Sequence, residues 1–190
     1  MLMRSVLFAT VFAAAAVTAA QADDWNISLL GGPTYSPHLS VSGAPRKIDD
    51  GFNAGARLGY DLNSWTGISG LTLAADGLYT QSHYSGTQAR LSTVSFMGDL
   101  IYRVDLGLPV GVYGGAGAGG VHDMISSGNH DSGSTVFAWQ ALGGVDYQVA
   151  PEAKLFAEYR YQNAHNANVG AFTGVGYTSN NVSAGVKIDL

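Results

Sequence analysis

The sequence predicts an all-β chain: an eight-stranded antiparallel up-and-down transmembrane β-barrel with long extracellular loops and short periplasmic turns. Three observations carry that reading. Only 12% of the 190 residues are charged, against roughly a quarter in ordinary soluble domains. Segment after segment alternates apolar with polar residues, as in KLFAEYRYQ at 154–162, which marks an extended strand whose two faces meet different surroundings. The connections alternate as well. Those at 36–50, 82–90, 122–134 and 163–178 are long and polar, while those around Asn63-Ser64, Gly107-Leu108-Pro109 and Ala150-Pro151-Glu152 are short.

Residues 1–22 read as a signal peptide and 23–190 as the barrel domain. Arg4 supplies a positive n-region, SVLFATVFAAAAVTA an apolar stretch, and AQA at 20–22 a small–x–small cleavage site. The formal charge is −5, and removing a leader that holds Arg4 and no acid makes the remainder more acidic still. That balance argues against a nucleic-acid partner, which would want a basic face. With no cysteine, neither a disulfide frame nor a thiolate metal site is possible. No run after the leader is long and apolar enough for a spanning helix.

Eight segments hold one register each. In the first, Trp25, Ile27, Leu29 and Tyr35 share a face. The second sets Phe52, Ala54, Ala56, Leu58 and Tyr60 against Asn53, Arg57 and Asp61; the third sets Leu71, Leu73, Ala75 and Tyr79 against Thr72 and Asp76. The fourth opposes Val94, Phe96, Leu100, Tyr102 and Val104 to Ser95, Asp99 and Arg103. The fifth begins with Val110 and Val112 and fades into glycine. The sixth sets Phe137, Trp139, Ala141, Val145 and Tyr147 against Gln140 and Asp146, the seventh is KLFAEYRYQ, and the eighth sets Val182, Ala184, Val186, Ile188 and Leu190 against Ser183, Lys187 and Asp189. A one-residue slip would turn every side chain to the other face, so a face held this long is specified.

If the first strand rises toward the long loops, two aromatic girdles result: Tyr35, Tyr79, Trp139, Tyr159, Tyr161 and Tyr177 above, Tyr60, Trp65, Tyr102 and Tyr147 below. Such belts suit two membrane–water interfaces. The apolar faces therefore look out into lipid. The interior receives Arg57, Asp76, Asp99, Arg103, Asp146, Glu158, Arg160 and Lys187, nearly balanced in sign. An eight-stranded barrel is narrow enough for side chains to fill, so these residues are expected to form a buried ionic network that plugs it. Equal height on neighbouring strands makes Glu158 and Lys187 the expected pair. The rival reading has the same charges lining a narrow conductive path.

FAWQALGGVDYQVAPEAKLFAEYRYQ at 137–162 resembles the penultimate hairpin of small OmpA-like barrels, the group that includes opacity and porin-like surface antigens of Gram-negative bacteria. GVYGGAGAGGVHD at 111–123 and the closing NNVSAGVKIDL fit the same group. One departure is the last residue, Leu190, where such barrels usually end in Phe or another aromatic that the assembly machinery reads. The resemblance implies an integral protein of the Gram-negative outer membrane with no cofactor. Its implied partners are membrane lipid, lipopolysaccharide and the barrel-assembly machinery, with a host or surface ligand for the loops. Its members are described as structural anchors, adhesins, antigens and weak pores, so the expected role is structural and surface-displaying, with a porin-like channel as the alternative.

Three other motifs carry less. Gly115, Gly117 and Gly120 match G-x-G-x-x-G, but the dinucleotide fingerprint needs a helix directly after it. His38, His83, His122, His130 and His165 all fall in or beside long connections. That arrangement would gather imidazoles at one mouth for haem or a metal, although lipid-facing strands exclude His in any case. His122, Asp123 and Ser126 lie close in sequence, yet the His and Ser two apart on a strand, as in lipid A deacylases, are missing. The chain is read as non-enzymatic.

Overall fold

A computed structural model describes residues 24–41, 44–46, 50–83, 90–107, 109–127, 130–169 and 172–190. The expected signal peptide, 1–22, lies outside them. Eight long strands dominate: β1 (Trp25–Val41), β3 (Gly51–Asp61), β4 (Leu71–His83), β5 (Arg90–Asp105), β6 (Val110–Ser127), β7 (His130–Ala150), β8 (Ala153–Val169) and β9 (Phe172–Asp189). A three-residue strand, β2 (Ala44–Arg46), pairs with the far end of β1. Every neighbour is antiparallel, and β1 pairs with β9 to close the sheet into a barrel. Closure leaves the eight long strands no free edge, which is the only way a sheet can satisfy its backbone groups in hydrocarbon. No helix among the described residues is long and apolar enough to cross a membrane.

Alternation along each strand sorts the side chains as the period-two pattern requires. Leu29, Leu73, Phe96, Leu100, Phe137, Val145, Leu155 and Tyr159 stand on the outer surface. Arg57, Asp76, Asp99, Asp146, Glu158 and Arg160 are buried inside. This arrangement inverts a soluble domain and suits an outer face solvated by lipid. The interior is not wholly polar, however. Leu30, Leu78 and Phe156 form one small apolar cluster, and Ala74, Ile101 and Leu142 another, both packed against Tyr113.

The two rims differ. At one, β3 and β4 are joined through a single helical turn, α1 (Asn63–Thr66), and β7 passes to β8 within a few residues. At the other, segments expected to be long loops are largely paired strand. β6 and β7 stay in register from Val121↔Val136 out to Ser127↔His130. The β8–β9 pairing continues, with two register shifts, to Val169↔Phe172. Ser, Gly, Thr and Asn carry no apolar alternation to betray a strand, but their backbones make the same ladder. The barrel thus continues as hairpin ribbons above the outer row of aromatics.

β6 extends the fifth expected segment. Its apolar pattern fades into glycine, but the strand runs without interruption from Val110 to Ser127. Gly115, Gly117 and Gly120 sit in that strand, with no helix after them.

Candidate functional site: the charged barrel interior

Four strand positions build the central cluster. Arg57 on β3 and Asp76 on β4 are direct cross-strand partners, and Glu158 and Arg160 are successive inward residues of β8. The Arg57 guanidinium donates to Asp76 through Nε at 2.8 Å and to both Glu158 oxygens at 2.8 and 2.9 Å. Arg160 donates to both Asp76 oxygens at 2.9 and 2.8 Å and to Glu158 Oε1 at 2.9 Å. Tyr113 on β6 adds its hydroxyl to Glu158 Oε2 at 3.1 Å. Two cations and two anions close a ring of zero net charge. Each guanidinium makes a two-pronged contact with a carboxylate, the geometry in which such pairs are strongest.

This cluster crosses the lumen. Around the ring β4 and β8 are four strands apart in either direction, so the Arg160–Asp76 contact spans the barrel. Further buried polar contacts fill the rest of the interior. Gln140 Nε2 donates to Asp99 Oδ1 at 2.7 Å, and Gln162 reaches Gln140. Thr34 donates to Asn181 at 2.7 Å, and Ser183 donates to Asn53 at 2.7 Å. Arg160, Gln140, Gln162, Asn53, Asn181, Thr34 and Asp99 are all but inaccessible to solvent.

Glycines make these crossings possible. Asp99, Gly117 and Gln140 share one row across β5, β6 and β7. The Asp99–Gln140 contact passes over Gly117, where a Cβ would overlap the Asp99 carboxylate. Tyr113, Gly144 and Glu158 form a second row, and a Cβ at Gly144 would come within 2.6 Å of the Tyr113 hydroxyl.

The expected single network is several separate groups. Arg103 holds Asp146 with two contacts at 2.7 Å and Asp105 with one at 3.1 Å. Asp99 stands apart with Gln140. The expected Glu158–Lys187 pair is not formed. Glu158 is taken by Arg57, Arg160 and Tyr113, and the Lys187 ammonium lies 3.7 Å from Asp189. The premise of equal height fails: the register sets Glu158 opposite Ser183 and Lys187 opposite Lys154, four residues further along β9, while Arg57 and Arg160 take the Glu158 carboxylate. Gln140 was expected on the inward face but not as the partner of Asp99, and Tyr113 was not expected among the interior contacts, although the parity of Gly111, Tyr113, Gly115 and Gly117 places it inward.

Of the girdle residues, Tyr35, Trp139 and Tyr159 on one half and Trp65, Tyr102 and Tyr147 on the other are exposed on the outer surface. Tyr60, Tyr79 and Tyr161 are partly covered by neighbouring rings: Tyr60 by Trp25 and Trp65, Tyr79 by Phe52, and Tyr161 by Trp139. The Tyr177 side chain lies outside the described residues. So do the side chains of His38, His83, His130 and His165, and those of Asp123 and Ser126. His122 Nδ1 is 2.8 Å from Thr135 Oγ1. Among the described residues no group of three His, Cys, Asp or Glu is placed to hold a metal ion.

The family model for the outer membrane protein beta-barrel domain matches residues 5–188. No curated protein matches the chain. Among solved structures the chain is similar to Neisserial surface protein A, at 26% identity and a TM-score of 0.65, covering 87% of this chain and 97% of that one. It is also similar to OprG from Pseudomonas aeruginosa, at 14% identity and a TM-score of 0.54, covering 88% and 98%. The attachment invasion locus protein Ail of Yersinia pestis matches at 16% identity and a TM-score of 0.50, covering 87% and 99%. These last two likenesses concern the fold alone.

Proposed function

The chain belongs to the outer membrane protein β-barrel domain family and resides in the Gram-negative outer membrane; from that premise we propose that it is a plugged, non-catalytic barrel that anchors surface ribbons in the envelope. The observation that carries this reading is the Arg57–Asp76–Glu158–Arg160 ring, which bridges the lumen and is sealed off from solvent. A path for solutes would have to break several charge-assisted hydrogen bonds at once, leaving buried charges unpaired. Lipid and lipopolysaccharide are the partners of the outer face, and the assembly machinery inserts the barrel. The role left for the protein is at the ribbons, where β6–β7 and β8–β9 extend furthest. The likeness to a Neisserial surface protein is in keeping with display at the cell surface.

Liposome swelling tests this directly. Vesicles carrying the barrel should swell in small sugars or amino acids no faster than empty ones. Swelling rates graded by solute size would instead make the protein a porin-like channel.

A further inference from the structure

Between the charged ring and the short-turn rim lies a cavity of about 50 Å³, lined in part by Asn26, Ser28, Thr72, Arg103 and Lys187. Its wall contains three cationic side chains, Arg57, Arg103 and Lys187, against one carboxylate, Asp146. Asp146 is already held on both oxygens by Arg103. Each guanidinium has five N–H donors. Arg57 and Arg103 each spend three of them on the carboxylates described above.

Lys187 is the least satisfied of the three. Among the described residues its ammonium donates no hydrogen bond, and its one ion-pair contact, Asp189, lies 3.7 Å away and is bound more closely by Lys154. Lys154 and Lys187 face each other in register across β8 and β9. Like charges directly opposed on neighbouring strands destabilise a sheet, and here two ammoniums share a single carboxylate. The side chains of Asn26, Ser28 and Thr72 also make no hydrogen bond to described residues, although Asn26 and Ser28 are buried. Donors from β1, β4, β5 and β9 therefore converge on one small space with positive charge in excess.

We infer that this cavity binds one small oxyanion of the phosphate class, entering from the periplasmic mouth. Its size suits such a guest: a single water needs roughly 10–15 Å³ of this kind of space, so the cavity takes a few waters or one small polyatomic ion and nothing as large as a nucleotide. The Lys187 and Arg103 side chains keep 25% and 19% of their surface open, which leaves an entry on that side. The anion would sit between Lys187, Ser28, Asn26 and the unspent guanidinium donors, offsetting the Lys154–Lys187 repulsion. Occupancy does not depend on whether the barrel conducts, since the cavity lies to one side of the charged ring.

The probe is inorganic phosphate, titrated calorimetrically at constant ionic strength into the full-length protein extracted from outer membranes in a phosphate-free alkyl glucoside. The detergent leaves free phosphate as the sole source of the chemistry. Saturable one-site binding is expected, weakened by about tenfold or more in Lys187→Met, as loss of a charge-assisted hydrogen bond implies. Ser28→Ala combined with Thr72→Val keeps every charge and should weaken binding by about threefold; it reports on the site even if Lys187→Met does not assemble. Absence of saturable binding up to about 50 mM, a concentration far above any useful affinity, would overturn the inference. So would binding of wild-type strength in the variants that assemble.

Discussion

Arg160 on β8 and Asp76 on β4 meet in a two-pronged contact, at 2.9 and 2.8 Å, between strands that stand on opposite sides of the barrel. Their pairing ties the two walls together through the interior, independently of the hydrogen-bond ladder around the circumference. The first consequence concerns stability. Removing one partner leaves the other charge buried without compensation, so Asp76→Ala should cost about 3–5 kcal/mol. Replacing Arg57, Asp76, Glu158 and Arg160 together with apolar residues of similar volume should cost much less, and by the same physics could even be neutral. Urea unfolding of the barrel in vesicles checks both; equal losses in the single and quadruple variants would show that charge burial is not what matters.

The glycines of β6 give a position-specific contrast. Gly117→Ala pushes a methyl into the Asp99 carboxylate, whereas the nearest atom to a Cβ at outward-facing Gly114 is a backbone oxygen at an ordinary 3.7 Å. Overpacking of this kind costs about 1–3 kcal/mol. Gly117→Ala should therefore lower the unfolding midpoint in urea and Gly114→Ala should leave it almost unchanged. Equal effects would mean that glycine is needed on β6 for backbone reasons rather than for room.

The outer face answers to lipid rather than water. Leu29 is 64% exposed on that face, and an Arg placed near the bilayer midplane of such a barrel costs about 2–4 kcal/mol. Leu29→Arg should show a loss of that order in vesicles and a much smaller one in urea-containing short-chain detergent, where the head group can reach water. Equal tolerance in both media would contradict a lipid-facing Leu29.

Tryptophan depth tests the two girdles. Trp65, 79% exposed, packs edge-on against Tyr60 beside the short-turn rim, and Trp139 packs at a tilt against Tyr161 toward the other. Single-tryptophan variants retaining either one should be quenched more by lipids brominated near the head group than by lipids brominated at the chain end. Stronger quenching from the chain ends would displace that girdle from the interface.

Much of this fold is legible in the sequence because lipid on one side and a narrow interior on the other impose the same period-two rule on every strand. KLFAEYRYQ suffices to place Glu158 and Arg160 inward and Tyr159 outward. What hides is the partner of each inward charge, which depends on reach across the lumen: Asp76 and Arg160 are 84 residues apart, and nothing local links them. β6 hides for another reason. Its outward residues Gly114, Ala116 and Ala118 are too small to stand out from inward Gly115 and Gly117, so the alternation vanishes just where the interior needs space. The ribbons beyond Val121 and Val136 hide because their register is held by backbone pairing and not by a buried apolar face.

The most direct measurement is planar-bilayer conductance of the membrane-extracted barrel beside its Glu158→Ala variant. The charged ring predicts a silent wild type and a variant that leaks or fails to insert, because Arg57 and Arg160 lose their shared carboxylate. Steady small channels from the wild type, unaltered by the substitution, would contradict the plug.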